Sequence, residues 1–184
     1  MDSMMTLTNV ETPPSDWAAR PYADALVGRG YSLLLFGDLA AAEEALNEAL
    51  GVYPFHTRAL GLKSITLTYR GQREAALATA AEAVSRNTAS ALGFTARGAA
   101  RVLTGEVAEG AEDCEYGLAL APACPLANYF SACCWGRRGR ENMCRERLAL
   151  AVALERRLRE PAITEGSFKE YWEVPWFKEL TGRL

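Results

Sequence analysis

A chain of 184 residues that is 49% apolar and 23% charged has the make-up of an ordinary soluble domain. Its net charge of −3 argues against a nucleic-acid partner, which draws on a basic excess. No apolar run approaches the roughly 20 residues of a membrane span. The N-terminus shows no basic stretch leading into an apolar core, and the five cysteines are an odd number. Reduced thiols in a cytoplasmic protein are therefore expected.

In chain order, residues 1–15 are polar, carry Pro13 and Pro14 and show no periodicity, so a flexible N-terminal tail is expected. Asp16-Trp17 reads as a lead-in turn, and Pro21 suits the first turn of a helix, where its missing N–H costs nothing. That helix is expected to reach about Phe36. The next follows Asp38, a good N-cap beside Gly37, and ends near Val52 ahead of Pro54. Further helices are expected over 57–70 and 73–86, over 91–104 and 106–120, and over 125–138 and 141–159. The last is longer because nothing stops it before Pro161. Beyond Pro161 the composition changes: Phe168, Tyr171, Trp172, Trp176 and Phe177 crowd together. They either cap the last helix pair or project outward as a docking patch.

One regularity organises these elements. Gly37, Gly71, Gly105 and Gly139 stand 34 residues apart, each between two helices. Small residues keep the same phase: Gly30, Ser64, Gly98 and Ala132 before the glycines, then Ala42, Ala76, Gly110 and Cys144, then Ala49, Ala83, Gly117 and Ala151. Small residues let antiparallel helices approach, and a glycine supplies the left-handed cap that ends the first of each pair. A fixed period of 34 is the helix–turn–helix period. The pattern resembles the tetratricopeptide repeat, in four gap-free copies over 23–56, 57–90, 91–124 and 125–158. The resemblance implies an all-α, right-handed α-solenoid of antiparallel helix pairs over residues 16–160, followed by a C-terminal capping segment over 161–184. Arg29, Lys63, Arg97 and Ser131 stand where the family usually carries a large apolar residue.

Catalysis has no visible constellation, no cofactor or metal motif appears, and no enzyme is expected. The lone histidine, His56, lies in a turn and reads as solvated. Cys133 and Cys134 are adjacent, and Cys114, Cys124 and Cys144 complete no zinc-ligand spacing. Packing explains them. The alternative is a redox role with the thiols activated by Arg137, Arg138 and Arg145. Glu43-Glu44 and Glu112-Asp113 read as solvated helix faces.

What the resemblance implies about function is protein binding: an adaptor, scaffold or assembly factor that takes a partner helix or extended peptide in its concave groove. The family's lining positions fall on Val27, Tyr31 and Leu34, on Leu62, Ile65 and Tyr69, on Thr95, Ala99 and Leu103, and on Tyr129, Phe130, Cys133 and Arg137. The set that grips chaperone C-terminal carboxylates in some relatives is missing. The groove is alternatively filled by the chain's own tail. Arg29, Lys63 and Arg97 form a second ladder, read either as ion pairs or as a basic stripe for an acidic partner. Arg137, Arg138, Arg140, Arg145 and Arg147 make a denser basic zone. Two other readings stay open, a dedicated client chaperone and a self-associating structural unit, so a homo-oligomer is possible.

Overall fold

The computed structural model describes residues 19–183; the expected tail and lead-in turn lie outside them. Eight helices come first: α1 (Ala19–Leu35), α2 (Leu39–Val52), α3 (Thr57–Tyr69), α4 (Arg73–Arg86), α5 (Ala91–Leu103), α6 (Val107–Leu120), α7 (Pro125–Arg137) and α8 (Glu141–Leu154). A 3-10 turn (Arg156–Leu158), α9 (Arg159–Thr164), a second 3-10 stretch (Gly166–Tyr171) and α10 (Pro175–Thr181) complete the chain. No described helix is long and apolar enough to cross a membrane.

The four glycines of the ladder all sit at positive φ, from 65° to 104°. Each closes a helix by one pattern, seen at Gly37: the Asp38 N–H donates to the Leu33 carbonyl and the Gly37 N–H to that of Leu34. The same two bonds recur at Gly71, Gly105 and Gly139. A residue with a side chain would strain at each of these positions, and this is why the sequence keeps its beat.

Between the helices of each pair the small residues meet. Ser64 donates to the Ala76 carbonyl across α3 and α4 at 2.8 Å. In the third pair all three small positions are glycine, and a Cβ built on Gly98 would stand 2.8 Å from the Gly110 carbonyl oxygen. Backbones this close leave no room for a methyl group.

Each second helix ends on an extended residue in phase with the ladder: Tyr53, Asn87, Ala121 and Glu155, with φ between −137° and −147°. That corrects the expected length of α8, which stops at Leu154 rather than running towards Pro161. The beat also continues one step further. α9 starts at Arg159, 34 residues after the start of α7 at Pro125, as the first helix of a fifth pair would. It lasts six residues, with Pro161 tolerated in its first turn, and the chain then leaves the repeat.

Ion pairs tie neighbouring pairs together near the turns. Arg70 reaches back to Glu43 of α2, and Arg73 reaches forward to Glu106, the residue ahead of α6. Asp113, 6% exposed, takes two hydrogen bonds from Arg97, at 2.9 and 2.6 Å, and one from Arg101 at 2.7 Å.

Candidate functional site

The concave face is where the sequence places a partner, and most of it is not accessible. Of the expected lining, Val27, Leu34, Leu62, Ile65, Thr95, Ala99, Tyr129, Phe130 and Cys133 are buried. Tyr31, Tyr69 and Leu103 are half-buried, and Arg137 is exposed. Of the two alternatives, the burial of these positions agrees with a groove filled by the chain itself, for two reasons. In the third pair Thr95 is taken up by the pair itself: it donates to the Ala91 carbonyl and its hydroxyl fills the space over Gly117 of α6. Elsewhere the chain's own C-terminal segment lies on the face.

That segment is built into the core. Leu158 and Pro161 close over Leu34, Ile65, Tyr69, Tyr129 and Phe130, leaving a residual cavity of about 20 Å³. Phe168 is fully buried, with its ring 5.8 Å from Tyr129 and 5.9 Å from Phe177. The Glu165 carboxylate accepts from the Ser167 N–H and hydroxyl, each at 2.9 Å, and Arg137 donates to the Ser167 hydroxyl. The Ser167 carbonyl presses on α7 where Gly136 has no side chain. At the other end Arg157 donates to Ser32 of α1 at 3.2 Å and lies over the Tyr31 ring, joining the last pair to the first.

The C-terminal aromatics turn inward. Phe168, Tyr171 and Phe177 are buried, and Trp176 donates to Glu141 at 2.8 Å. Of the two alternatives for these rings, the inward placement agrees with the cap and not with an outward docking patch.

Two openings flank the covered stretch among the described residues. One, of about 340 Å³, lies among the first turns of α3, α5 and α7, with walls from Tyr31, Leu62, Leu92 and Leu126 and with Arg58, Cys124 and Glu155 at its edge. Arg58 and Arg157 both flank the Tyr31 ring, at 5.9 and 5.7 Å. Glu155 is held by Arg157 through two bonds at 2.9 and 2.8 Å. The other opening, of about 400 Å³, is more polar and is bounded by Phe36, Leu39, Tyr69, Glu160 and Thr164. Sequence reasoning missed Arg58, Leu92, Leu126 and the Glu155–Arg157 pair. Only the phase of Glu155 with Tyr53, Asn87 and Ala121 carried a signal for any of them.

The basic ladder does not act as one stripe. Arg97 is neutralised by Asp113, and that bond raises its pKa. Arg29 is exposed and Lys63 half-buried, with no ion pair among the described residues.

His56 is a correction as well: it is 8% exposed and caps α3. Its Nδ1 accepts the Ala59 N–H at 3.4 Å, so Nε2 carries the proton and donates to Asp24 of α1 at 2.9 Å. The His56→Ala variant should lose about 1–2 kcal/mol of stability, read in denaturant unfolding, with His56→Asn recovering part of it as a cap.

All five thiols are free, and only Cys124 is not buried. Cys114, Cys133 and Cys144 are held in their protonated form rather than activated. Contact with Cys134 together with burial pushes Cys114 well above its usual value, and burial does the same to Cys133. Burial pushes Cys144 from 9.0 to about 12 and the Tyr31 phenol from 10.0 to about 12. The unfolded chain releases these protons first as pH rises, so the folded state then binds more protons and loses stability. Their contribution is complete below pH 9.0 and is lost on the way to about 12. Unfolding midpoints measured over this alkaline range should fall, and cysteine alkylation below it should mark Cys124 alone. Among the described residues no group of His, Cys, Asp and Glu is placed to hold a metal ion.

No family model matches the sequence, and no curated protein sequence matches it. Solved structures do match. A thermophilic TPR protein of Thermus thermophilus is 18% identical, with a TM-score of 0.60 over 88% of this chain and 96% of that one. PilF of Pseudomonas aeruginosa is 16% identical, with a TM-score of 0.58 over 90% and 77%. The first TPR of Spaghetti (RPAP3), solved bound to the HSP90 peptide SRMEEVD, is 17% identical, with a TM-score of 0.51 over 69% and 94%. With the capped glycine ladder and the stacked antiparallel pairs, these likenesses show that the chain has the tetratricopeptide-repeat fold.

Proposed function

We propose that the chain is a non-catalytic protein-interaction module that takes an apolar side chain of a partner peptide or helix in the cleft among α3, α5 and α7. The observation that carries this reading is the cleft of about 340 Å³, the more apolar-walled of the two openings described along the groove. Its size suits a side chain or a short segment. Three helix N-termini, at Thr57, Ala91 and Pro125, and the Arg58 guanidinium favour a partner with negative charge beside its apolar anchor. The HSP90 peptide held by the Spaghetti TPR is acidic, which agrees in chemistry with such a partner. The lone imidazole is committed to a helix cap and an inter-helix bond, and this favours binding over catalysis.

Cys124 gives the test. It lines the cleft, makes no side-chain cap bond to α7, and is the thiol open to reagent. Affinity capture is run with unmodified protein, with protein carrying a bulky maleimide on Cys124, and with Arg58→Glu. A partner held by the first and lost from the other two, all three with the same circular dichroism, supports the cleft. A partner held equally by all three contradicts it.

A further inference from the structure

The two openings lie at opposite ends of the first helices. The cleft stands at the N-termini of α3, α5 and α7. The opening of about 400 Å³ stands where α1 and α3 end, at Leu35 and Tyr69, and helix C-termini carry a partial negative charge. Its charged lining residues are Glu160 and Glu165, and no Lys or Arg lines it.

Glu165 is the unusual member. It is 9% exposed, and the two hydrogen bonds it accepts from Ser167 fall on one carboxylate oxygen. It makes no ion pair among the described residues. Arg137 stops short of it, donating to the Ser167 hydroxyl at 2.9 Å. A charge this buried is ordinarily paired, because burial removes the water that would stabilise it. A second polar group nearby is also left over. The Tyr129 hydroxyl is sealed from solvent and makes no hydrogen bond of standard geometry among the described residues. It belongs to the small cavity that shares Leu34, Leu35, Tyr69 and Pro161 with this opening. Glu160 is exposed and likewise has no ion pair among the described residues. The remaining wall is apolar and includes Phe36, 76% exposed and the most exposed large apolar side chain described.

We propose that this opening binds a short aliphatic diamine, with one ammonium group on Glu165, the other on Glu160, and the methylene chain against Leu34, Leu35 and Phe36. Two carboxylates without counter-ions are matched by two positive charges. A lysine side chain would bring one and leave the other carboxylate unmatched. The two glutamates are five residues apart, about 7.5 Å of helical rise, which a chain of roughly four or five methylenes spans. Phe36 and Tyr69 add aromatic faces that attract a cation. The volume is of the size that holds a small molecule. This inference is independent of the reading of the cleft.

The test is a titration of the whole chain followed by amide chemical shifts, with cadaverine, pentylamine and pentanol as probes. Cadaverine should shift Phe36, Gly37, Tyr69 and Thr164 and leave Leu92 and Leu126 of the cleft in place. It should bind about tenfold more tightly than pentylamine, and pentanol should bind more weakly still. Glu160→Gln, at an exposed position, should bring cadaverine to the level of pentylamine. Glu165→Gln keeps an oxygen for Ser167 and should weaken both amines by about tenfold or more, with unchanged circular dichroism. Cadaverine that shifts none of these amides in the millimolar range overturns the proposal. So does pentylamine or pentanol binding as tightly as cadaverine, or an affinity indifferent to either glutamine variant. Acetyl-lysine methylamide separates the sources: binding as tight as that of cadaverine would assign the opening to a protein side chain and overturn the diamine.

Discussion

Alanine at Gly98 is expected to lower the melting temperature, and alanine at Gly28 to raise it. Both glycines lie inside helices, where alanine gains about 0.5–1 kcal/mol in the absence of any contact. Gly28 offers the isolated case: a Cβ there meets nothing within 4 Å. At Gly98 the Cβ stands 2.6 Å from the Cys114 sulfur, 2.8 Å from the Gly110 carbonyl oxygen and 3.0 Å from the Cys114 nitrogen. Two of those three atoms are backbone of α6 and move only if the whole helix moves. Overpacking of this kind costs about 1–3 kcal/mol and so outweighs the propensity gain. For a chain of this size each kcal/mol shifts melting by about 2–4 °C, so the two variants should separate clearly in opposite directions. Thermal unfolding followed by circular dichroism reads both. If Gly98→Ala melts at or above wild type, the close crossing of α5 and α6 is wrong.

Phe168→Ala is expected to cost about 3–5 kcal/mol, the largest loss of any single truncation beyond α8. The ring is fully buried between Tyr129 of α7 and Phe177 of α10, so its removal loses apolar burial and leaves a void. It also loosens the segment that covers the concave face. A second readout therefore separates it from an ordinary core mutation. Cys133 is buried beside Glu165 and Ser167, and it should become open to alkylation before the helices unfold. A Phe168→Ala protein that keeps wild-type stability and an inert Cys133 would mean that the segment is not part of the core.

Much of the fold is legible in the sequence because its signals are local. A positive-φ glycine, an Asp38 cap and a small residue at a helix crossing each act within a few residues of where they stand. The end of α8 was misread because proline was taken as the stop signal. Pro54 and Pro122 do follow α2 and α6, but Asn87 and Glu155 make the same extended break with no proline next to them. The beat itself was the better guide, and it runs on into α9.

The candidate site was much less legible. Ile65, Tyr129 and Phe130 line one small cavity together, and the sequence identifies them as apolar. What covers them is decided by contacts with Leu158 and Pro161, far along the chain, and no periodicity encodes those. Arg157 meeting Ser32 across 125 residues is the extreme case. His56 was misread for a related reason: its partner Asp24 belongs to a different helix pair, so the turn looked solvated when it was not.

The central claim is that the chain fills much of its own groove and that, of the two openings described, the more apolar cleft among α3, α5 and α7 is the one for a partner. Hydrogen exchange over residues 155–171 tests it most directly. The account expects Leu158, Glu165 and Phe168, whose amides donate to Glu155, Pro161 and Glu165, to be protected together with the helices of α7 and α8. Exchange of that stretch at the rate of a free peptide, while α7 stays protected, would contradict it and return the whole concave face to the partner.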